Sequence, residues 1–347
     1  MAQTSPSVTI IQQADLTGLN TLGIKAKASK FIEINSTDQI HSLFSEGFFE
    51  SEDPFILGGG SNVLLKKDIN RPVLKIDLDS IEVQAEDEKS ATIFAAAGVN
   101  WHTLVEWAVQ RDFGGIENLA LIPGTVGAAP IQNIGAYGVE LMDVLESTDY
   151  FDIKTGEEKT LKKDACEFGY RDSVFKNRLK GRAIVTGIKL RLSKEPYSIN
   201  SSYRSLSEYL EKHEVVDPGI KDVFEAVVAI RKSKLPDPKL IGNAGSFFKN
   251  PVVGKELFEA LSEKFEDIPG YRVSENEVKI PAGWLIEKAG WKGKRVGNVG
   301  TYENQALVLV NHGGATGEEL WNHALSIQKS VSQKFGVELT PEVNIIE

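Results

Sequence analysis

The sequence predicts an α+β protein of more than one domain. Short apolar runs bounded by turn residues, typical of strands, alternate along the chain with stretches whose apolar residues recur at helical spacing. The chain has 347 residues, which is long enough for two or three domains with substantial cores. Hydrophobic residues make up 41% and charged residues 25% of it, a globular composition rather than a disordered or fibrous one.

The first elements are short and alternate in type. Lys30–Asn35 (KFIEIN) is expected to be a strand, and Thr37–Glu46 carries its apolar residues on one helical face. Pro54–Leu57 (PFIL) predicts a second strand, which runs into the glycine-rich stretch Gly58–Asn62 (GGGSN). An apolar, β-like run (VLLK) follows these glycines, so no helix is expected directly after them. Further strands are expected within VLKIDL, IEVQAE, TIFAAAG, VLESTDYFDI and RAIVTGIKLRL.

Helices dominate the expectations for the rest of the chain. Trp101–Gln110 and Val223–Lys232 are amphipathic, and the second runs into the helix-breaking KLPDPK, where we expect a domain boundary. Glu256–Phe265 and Glu318–Phe335 are predicted helices, and Gln305–Asn311 (QALVLVN) a buried strand.

Charge and composition exclude several classes of function. Lys and Arg number 39 against 49 Asp and Glu, a net charge of −10 that disfavours binding to duplex DNA or to a membrane surface. The single cysteine, Cys166, allows no internal disulfide, and the five histidines show no metal-site spacing, so no metal is expected. No signal peptide or membrane-spanning run is apparent, and we expect a cytoplasmic protein.

The GGGSN stretch has two interpretations. Its glycines allow positive φ and close approach, so that successive N–H groups could surround a phosphate. It could equally be a tight turn between two strands. It is not a Rossmann fingerprint, because Val63 stands where the third glycine would be and no helix follows. No Walker A sequence occurs in the chain.

A second turn-rich segment, Leu121–Gly138 (LIPGTVGAAPIQNIGAYG), is long and almost uncharged. Small side chains of this kind let an extended backbone lie against a ligand and bind it through amides. A purely structural loop of this length and low polarity would be unusual inside a compact domain. The segment therefore favours a ligand-binding loop.

Ser246, in GNAGSFFKNP (Gly242–Pro251), has no histidine within thirty residues on either side, so the serine–base pair of a hydrolase is not apparent. Either the stretch is an ordinary turn into the core, or the hydroxyl has a role other than nucleophilic attack. By similar reasoning, Glu342 would ordinarily be solvated, and Arg171 with Asp172 would ordinarily form a surface ion pair.

Six motifs, in this order, resemble the UDP-N-acetylenolpyruvoylglucosamine reductase (UDP-N-acetylmuramate dehydrogenase, MurB) family in its longer form. The resemblance covers about Asn20 to Glu342, and its motifs are IPGTVGAAPIQNIGAYG, EFGYRDSVFK, KLPDPK, GNAGSFFKNP, PAGWLIEKAG and LTPEV. It implies an FAD-binding fold of the vanillyl-alcohol-oxidase type, made of two α+β subdomains, and a C-terminal α+β substrate domain. The expected boundaries are 1–80, 81–233 and 234–333, with residues 334–347 returning to the active site.

The resemblance also implies the ligands and the reaction. FAD is expected to be bound non-covalently. The expected partners are two small molecules, UDP-N-acetylglucosamine enolpyruvate as the substrate and NADPH as the reductant, with no nucleic acid or membrane. The product is UDP-N-acetylmuramate, a peptidoglycan precursor, formed when flavin N5 delivers hydride to the terminal enolpyruvyl carbon. The flavin contacts implied by the matching motifs are Gly58, Gly59, Gly60, Ser61, Asn62, Pro123, Gly124, Thr125, Gly127, Ala128, Ala129, Ile131, Asn133, Gly135, Ala136, Tyr137 and Gly138.

Two small departures from the family pattern do not touch the chemistry. Leu22 stands in NTLGI where an aromatic residue is common. Ala128 and Ala129 replace serines of some relatives, so backbone amides must serve the pyrophosphate there.

The implied catalytic residues are Ser246, Arg171 and Glu342. Hydride addition leaves negative charge on the α-carbon and carboxylate, which requires charge-stabilising donors and a proton. Arg171 can hold the carboxylate through two hydrogen bonds, and Ser246 can protonate the strongly basic α-carbon without a histidine. We expect Glu342 to be protonated, or to share a proton, in the working complex, because an ionised carboxylate would oppose the developing charge.

The implied substrate contacts are Lys234 and Asn250, with Gln305, Tyr203 and Tyr170 as further candidates. NADPH and the UDP-sugar would share one site in turn, which gives ping-pong kinetics. We expect a monomer. Two other functions stay open: a flavoprotein oxidase of the same fold that passes electrons to oxygen, and a non-catalytic carbohydrate- or nucleotide-binding protein.

Overall fold

The structure, a computed structural model, describes residues 8–195 and 198–347. The first seven residues of the predicted first subdomain, and residues 196–197, lie outside this description. The described strands are, in chain order, β1 (Ile10–Asp15), β2 (Lys27–Ile34), β3 (Phe55–Leu57), β4 (Val63–Leu65), β5 (Ile69–Ile76), β6 (Ile81–Glu86), β7 (Ser90–Ala96), β8 (Gly135–Ala136), β9 (Val139–Glu140), β10 (Leu145–Asp152), β11 (Glu157–Lys162), β12 (Ala183–Ser193), β13 (Gly242–Ser246), β14 (Val252–Gly254), β15 (Tyr271–Arg272), β16 (Glu277–Lys279), β17 (Arg295–Val296), β18 (Val299–Thr301), β19 (Val308–Asn311) and β20 (Asn344–Ile346).

The described helices largely follow the predicted ones. The helices are α1 (Thr37–Ser45), α2 (Phe48–Ser51), α3 (Trp101–Val109), α4 (Arg204–Lys212), α5 (Ile220–Lys234), α6 (Lys255–Lys264), α7 (Ala282–Lys288) and α8 (Gly317–Phe335). No helix in the described part of the chain is both long enough and apolar enough to cross a membrane.

The chain packs into two compact units that are not continuous in sequence. The first unit contains the described residues up to Ala14, Ala28–Gly59 and Asn70–Arg231. The second unit contains 15–27, 60–69 and 232–347. The finer division predicted at residues 80, 233 and 333 stays a prediction.

The first unit is built on two sheets. One has the strand order β1-β2-β5-β3, with β3 parallel to β5, and the other the order β11-β10-β12-β7-β6, with antiparallel neighbours. Helix α3 is capped at its N-terminus by Asn100, whose side chain accepts a hydrogen bond from Thr103 N at 3.2 Å. Its apolar stripe is buried, with Trp101, Leu104 and Val105 each at most 1% exposed. The buried face of α3 is therefore the one that the helical spacing of its apolar residues predicts.

The second unit contains a four-stranded sheet, β13-β19-β18-β17, and a three-stranded sheet, β14-β16-β15. Its long helix α8 is preceded by a capping box between Thr316 and Glu319 and is followed by the cap residue Gly336, which has a φ of +67°. The C-terminal strand β20 pairs in parallel with β4, and Asn344 lies opposite Val63. This pairing brings the end of the chain to the residues that follow GGGSN.

A buried carboxylate in the first unit is bound by two partly exposed cations. Asp152, at the end of β10, has no exposed surface. It accepts hydrogen bonds from Arg182 Nε at 2.7 Å and Lys159 Nζ at 2.9 Å. The Arg182 guanidinium, more than any other group, holds the pKa of this carboxyl far below its ordinary value of 3.8.

Asp152→Ala is therefore expected to lower the free energy of unfolding by about 1 to 3 kcal/mol at neutral pH, because it removes the buried acceptor of two charge-assisted hydrogen bonds whose cations are partly exposed. Because the pKa of Asp152 is lower in the folded state than in the unfolded state, its contribution to the free energy of unfolding is complete above about pH 3.8. This contribution is lost as the pH falls through the folded-state pKa. Urea unfolding as a function of pH measures this difference, which should shrink in acid. The control Asp53→Ala removes an exposed pair with Arg71 and should cost less than about 1 kcal/mol; equal losses in the two variants would contradict the prediction.

Candidate active site

Ser246 ends strand β13 where the strand departs from regular pairing. Asn243 lies opposite Val310, but Ser246 lies opposite Val308, so β13 contains one extra residue. Gly245, within this bulge, has a φ of +67°, which glycine adopts without strain. Bulges change the direction of side chains along a strand. The Ser246 side chain is exposed, as a residue that meets a substrate must be in the free enzyme.

The side chain of Asn243 holds this bulge in place. Its Oδ1 accepts a hydrogen bond from Gly245 N at 3.1 Å. Its Nδ2 donates to Pro236 O and to Ile241 O, both at 3.0 Å. One buried amide thus joins the KLPDPK turn to the residue before Ser246. The sequence analysis gave Asn243 no role, although an asparagine beside a strand glycine is a known local signal for such turns.

The segment that carries Glu342 runs beside the residues that follow Ser246. Glu342 N donates to Phe247 O at 2.8 Å, and Lys249 N donates to Thr340 O at 2.9 Å. The Glu342 side chain is half-buried. Ser246 and Glu342 are therefore presented by neighbouring segments of the second unit, as a shared role requires.

Asn62, the last residue of GGGSN, fixes this C-terminal segment. Its Nδ2 donates to Glu342 O at 3.3 Å, and its carbonyl accepts from Asn344 N at 3.0 Å. The two partners Asn62 and Glu342 are 280 residues apart in sequence. No local pattern could have shown that the glycine-rich stretch also positions the Glu342 backbone.

Arg171 lies in the first unit, in a turn closed by paired bonds between Gly169 and Asp172. Its φ is +55°, an uncommon value for a residue with a side chain and one found preferentially at functional sites. Arg171 Nη2 donates to Gly135 O at 2.8 Å, and Nη1 lies 3.4 Å from Asn133 O. The guanidinium is therefore tied to the backbone of the Leu121–Gly138 loop.

Arg231 and Tyr137 form a charged cluster with Arg171 that the sequence analysis did not identify. Arg231 is hydrogen-bonded to the Tyr137 hydroxyl, and its Nε is buried without a hydrogen-bond partner among the described residues. Burial lowers the pKa of Arg231. The nearby charge of Arg171 also lowers this pKa, whereas Tyr137 acts in the opposite direction. Burial likewise raises the pKa of Tyr137. Two neighbouring guanidiniums, one of them with a buried Nε, suit an anionic ligand.

The first-unit parts of the two glycine-rich loops touch each other. A Cβ at Gly59 would lie 2.9 Å from Gly124 Cα, and one at Gly58 would lie 2.7 Å from Thr125 Oγ1. The hydroxyl of Thr125 is buried and has no hydrogen-bond partner among the described residues. Close backbones together with an unused buried hydroxyl fit a bound, polar ligand such as a flavin dinucleotide.

Gly59→Ala is expected to weaken FAD retention about tenfold or more. The added methyl group would meet the Gly124 backbone, which cannot move aside as a flexible side chain could. The ratio of visible flavin absorbance to protein absorbance after desalting measures retention. Gly18→Ala is the matched control, since a Cβ there has no neighbour within 4 Å. Full flavin content in the Gly59 variant would contradict the expected crowding.

Two of the other predicted flavin contacts, Gly127 and Asn133, have structural roles within the first unit. A Cβ at Gly127 would meet Ala97 Cβ at 2.6 Å, and Gly127 N donates to Ala97 O at 2.9 Å, so small size is needed there for packing alone. Asn133 is fully buried, donates to Glu140 Oε2 at 2.8 Å and accepts from Met142 N at 3.1 Å. A contact of Asn133 with flavin would therefore use its backbone. The contacts predicted throughout this loop stay predictions.

The predicted substrate contacts differ in their surroundings. Lys234, the last residue of α5, is exposed. Asn250 Oδ1 accepts from Ala282 N at 2.9 Å, where α7 begins, and Gln305 Oε1 accepts from Leu307 N at 3.3 Å. Asn250 and Gln305 thus also hold the second unit together.

The two predicted tyrosines belong to the first unit. Tyr170 is 43% exposed, and its ring lies under the Arg171 guanidinium, 5.8 Å from ring centroid to Cζ. Tyr203 is 50% exposed and meets Tyr137 edge to face, with 5.3 Å between ring centroids. Both rings have surface available to pack on a ligand.

Comparison with known proteins shows which family the chain is similar to. Residues 237–346 match the C-terminal domain of UDP-N-acetylenolpyruvoylglucosamine reductase, and residues 31–162 match an FAD binding domain. The UDP-N-acetylenolpyruvoylglucosamine reductase of Flavobacterium johnsoniae is 49% identical over 331 residues, which cover 95% of this chain and 98% of that one. The chain belongs to the UDP-N-acetylenolpyruvoylglucosamine reductase family. The reductase of Amoebophilus asiaticus is 45% identical, with 96% of this chain and 98% of that one covered.

Solved structures confirm the predicted fold class of this family member. The reductase (MurB) from Thermus caldophilus superimposes with a TM-score of 0.66 and 23% identity, covering 98% of this chain and 99% of that one. 6-Hydroxy-D-nicotine oxidase from Arthrobacter nicotinovorans gives a TM-score of 0.52 at 14% identity, covering 97% of this chain and 88% of that one. Together with the FAD-binding match, they confirm the FAD-binding α+β fold and its C-terminal α+β domain.

Proposed function

We propose that this protein reduces UDP-N-acetylglucosamine enolpyruvate to UDP-N-acetylmuramate, a step of peptidoglycan precursor synthesis, with FAD as its non-covalent cofactor and NADPH as its reductant. The observation that carries the proposal is 49% identity to a reductase of this name over nearly the whole of both chains. The bulge that exposes Ser246, on a segment hydrogen-bonded to that of Glu342, supports it.

FAD would be held by the glycine-rich loops, through the cradle at Gly58, Gly59 and Gly124 and the hydroxyl of Thr125. The loops offer backbone N–H groups at positions where no side chain would keep the dinucleotide away. When bound, the flavin supplies the hydride that adds to the terminal carbon of the substrate alkene. No histidine or cysteine occurs in either loop, which agrees with non-covalent binding.

The guanidinium of Arg171 would bind the substrate carboxylate. Its attachment to Gly135 O fixes the direction of the planar group before substrate arrives. A preorganised cation stabilises negative charge as it develops on the carboxylate and α-carbon, without reorganisation during the reaction. Arg231 adds a second positive charge to the same unit, next to Arg171.

Ser246 would donate the proton to the α-carbon. A hydroxyl can protonate so basic a centre if it is correctly placed, and the bulge at Gly245 supplies the placement. Glu342 would act in its protonated form, since a carboxylate would oppose the charge that Arg171 stabilises. Lys234 and Asn250 would bind the diphosphate of the UDP-sugar. NADPH and the UDP-sugar would bind in turn, and the protein would act as a monomer.

The test is NADPH oxidation by flavin-loaded protein with and without the enolpyruvyl UDP-sugar. We expect consumption that depends on the UDP-sugar and continues without oxygen. Oxygen consumption that is independent of the UDP-sugar would indicate a flavoprotein oxidase instead. Protein that stays colourless after incubation with FAD would indicate a non-catalytic nucleotide- or sugar-binding protein.

A further inference from the structure

We propose that His102 is a positioning residue for FAD, and that its imidazole holds the start of the Leu121–Gly138 loop in the conformation that binds the cofactor. The inference rests on the proposed function, in which this loop contacts FAD. His102 lies in helix α3, outside every motif that the sequence analysis connected with the cofactor. Its effect passes through the Leu121 backbone rather than through contact with the dinucleotide.

The first turn of helix α3 supports the loop through backbone and side-chain bonds. Asn100 and Thr125 form an isolated antiparallel bridge, and Trp101 N donates to Gly124 O at 3.0 Å. The indole Nε1 of Trp101 donates to Leu119 O at 3.0 Å. Gly124 and Thr125 belong to the cradle proposed for FAD, so this part of the loop is held by the start of α3.

Leu121, between these contacts, is held by His102. Its φ is +56°, in the left-handed region that a residue with a Cβ adopts only at a cost. Its N–H donates to His102 Nδ1 at 3.1 Å, in a partly buried position. A backbone N–H removed from water requires an acceptor, and the imidazole supplies one only while the loop keeps this conformation. The bond therefore opposes relaxation of the strained residue.

The imidazole is itself held in the orientation that this bond needs. It stacks on the ring of Phe224 in helix α5, with 5.7 Å between ring centroids and 12° between the planes. Its Nε2 lies 3.4 Å from Glu106 Oε1, one turn further along α3. Because Nδ1 accepts the Leu121 hydrogen, the neutral ring carries its proton on Nε2, on the side of Glu106. The acceptor nitrogen thus faces the loop.

The expected consequence for FAD is a gain in affinity through preorganisation. A loop that has to be ordered into an unfavourable conformation on binding loses affinity, because the ordering costs free energy. A loop that is already held in this conformation has less to lose. We therefore expect His102 to strengthen FAD binding and to leave the chemistry of the bound flavin unchanged.

The experiment compares His102→Asn with His102→Gln in the holoenzyme. The amide oxygen of asparagine is attached to Cγ, as Nδ1 is in histidine, so it can accept the Leu121 hydrogen. The amide oxygen of glutamine lies one bond further out, near the position of Nε2, and misses that hydrogen. Flavin fluorescence released on dilution measures the dissociation constant of FAD. His102→Gln should raise it about tenfold, and His102→Asn less than about threefold.

The matched control is Glu106→Gln, which keeps an acceptor beside Nε2 and changes the dissociation constant less than about twofold. Equal losses in the two His102 variants, or a tenfold loss in His102→Asn alone, would overturn the inference, since packing of the ring would then decide. If circular dichroism shows that His102→Gln does not fold, His102→Ala takes its place as the variant without an acceptor. Wild-type protein that binds no FAD would contradict the proposed function itself, and this inference would fail with it.

Discussion

An enzyme in which Ser246 is replaced by alanine is expected to pass hydride to the enolpyruvyl substrate about 10²- to 10⁴-fold more slowly, while NADPH still reduces its flavin at the wild-type rate. The hydroxyl is proposed to donate a proton only in the second half-reaction, so that only this half should depend on it. Stopped-flow flavin absorbance resolves the two halves: reduction by NADPH without UDP-sugar, then oxidation by UDP-sugar without oxygen.

The control for this variant is Ser274→Ala. Ser274 also belongs to the second unit, but its exposed hydroxyl donates to Glu277 Oε2 at 3.1 Å and has no place in the proposed chemistry. Both half-reactions should keep their rates in that variant. Equal slowing of both halves in Ser246→Ala would show a general disturbance of the site, and unchanged oxidation would remove Ser246 from the mechanism.

Elements with a strong local period were predictable from the sequence. The helix predicted at Trp101–Gln110 is confirmed as α3, and the one at Glu318–Phe335 as α8, because an apolar stripe and good caps specify both locally. The strand predicted at Gln305–Asn311 begins only at Val308. Val308 N bonds to Gln305 O, which closes a turn that the apolar run does not reveal.

The division into two units could not be predicted, because it depends on pairing between distant segments. Strand β20 pairs with β4, and Asn62 is bonded to Glu342. These contacts place the end of GGGSN in the second unit although its first two glycines belong to the first. The family resemblance assigned all five residues of the stretch to flavin contact, since contiguous residues give no sign of such a division.

Motifs in the sequence point to the candidate catalytic residues, but they do not point to the residues that hold them in place. Ser246, Arg171 and Glu342 were singled out through their motifs, and the structure gives each a defined backbone setting. Arg231 was missed because a basic residue near the end of an amphipathic helix ordinarily faces solvent. The burial of its Nε and its contact with Tyr137 are visible only in the folded chain.

Arg171→Lys is expected to slow flavin oxidation by the enolpyruvyl substrate about 10²- to 10³-fold, a loss comparable to that of one preorganised charge-stabilising donor. Charge is kept, but an ammonium cannot bond to Gly135 O and present a planar pair of donors to a carboxylate as the guanidinium can. Reduction by NADPH should change far less, which the same stopped-flow measurement shows.

The matched control is Arg178→Lys, seven residues further along the chain and just beyond the same motif. Arg178 is exposed and paired at the surface with Glu167 at 2.9 Å, so that its guanidinium geometry should not matter. If Arg171→Lys were as active as Arg178→Lys, positive charge alone would suffice at this position. The uncommon backbone of Arg171, with its φ of +55°, would then have no catalytic reason, since a lysine would serve the substrate carboxylate as well.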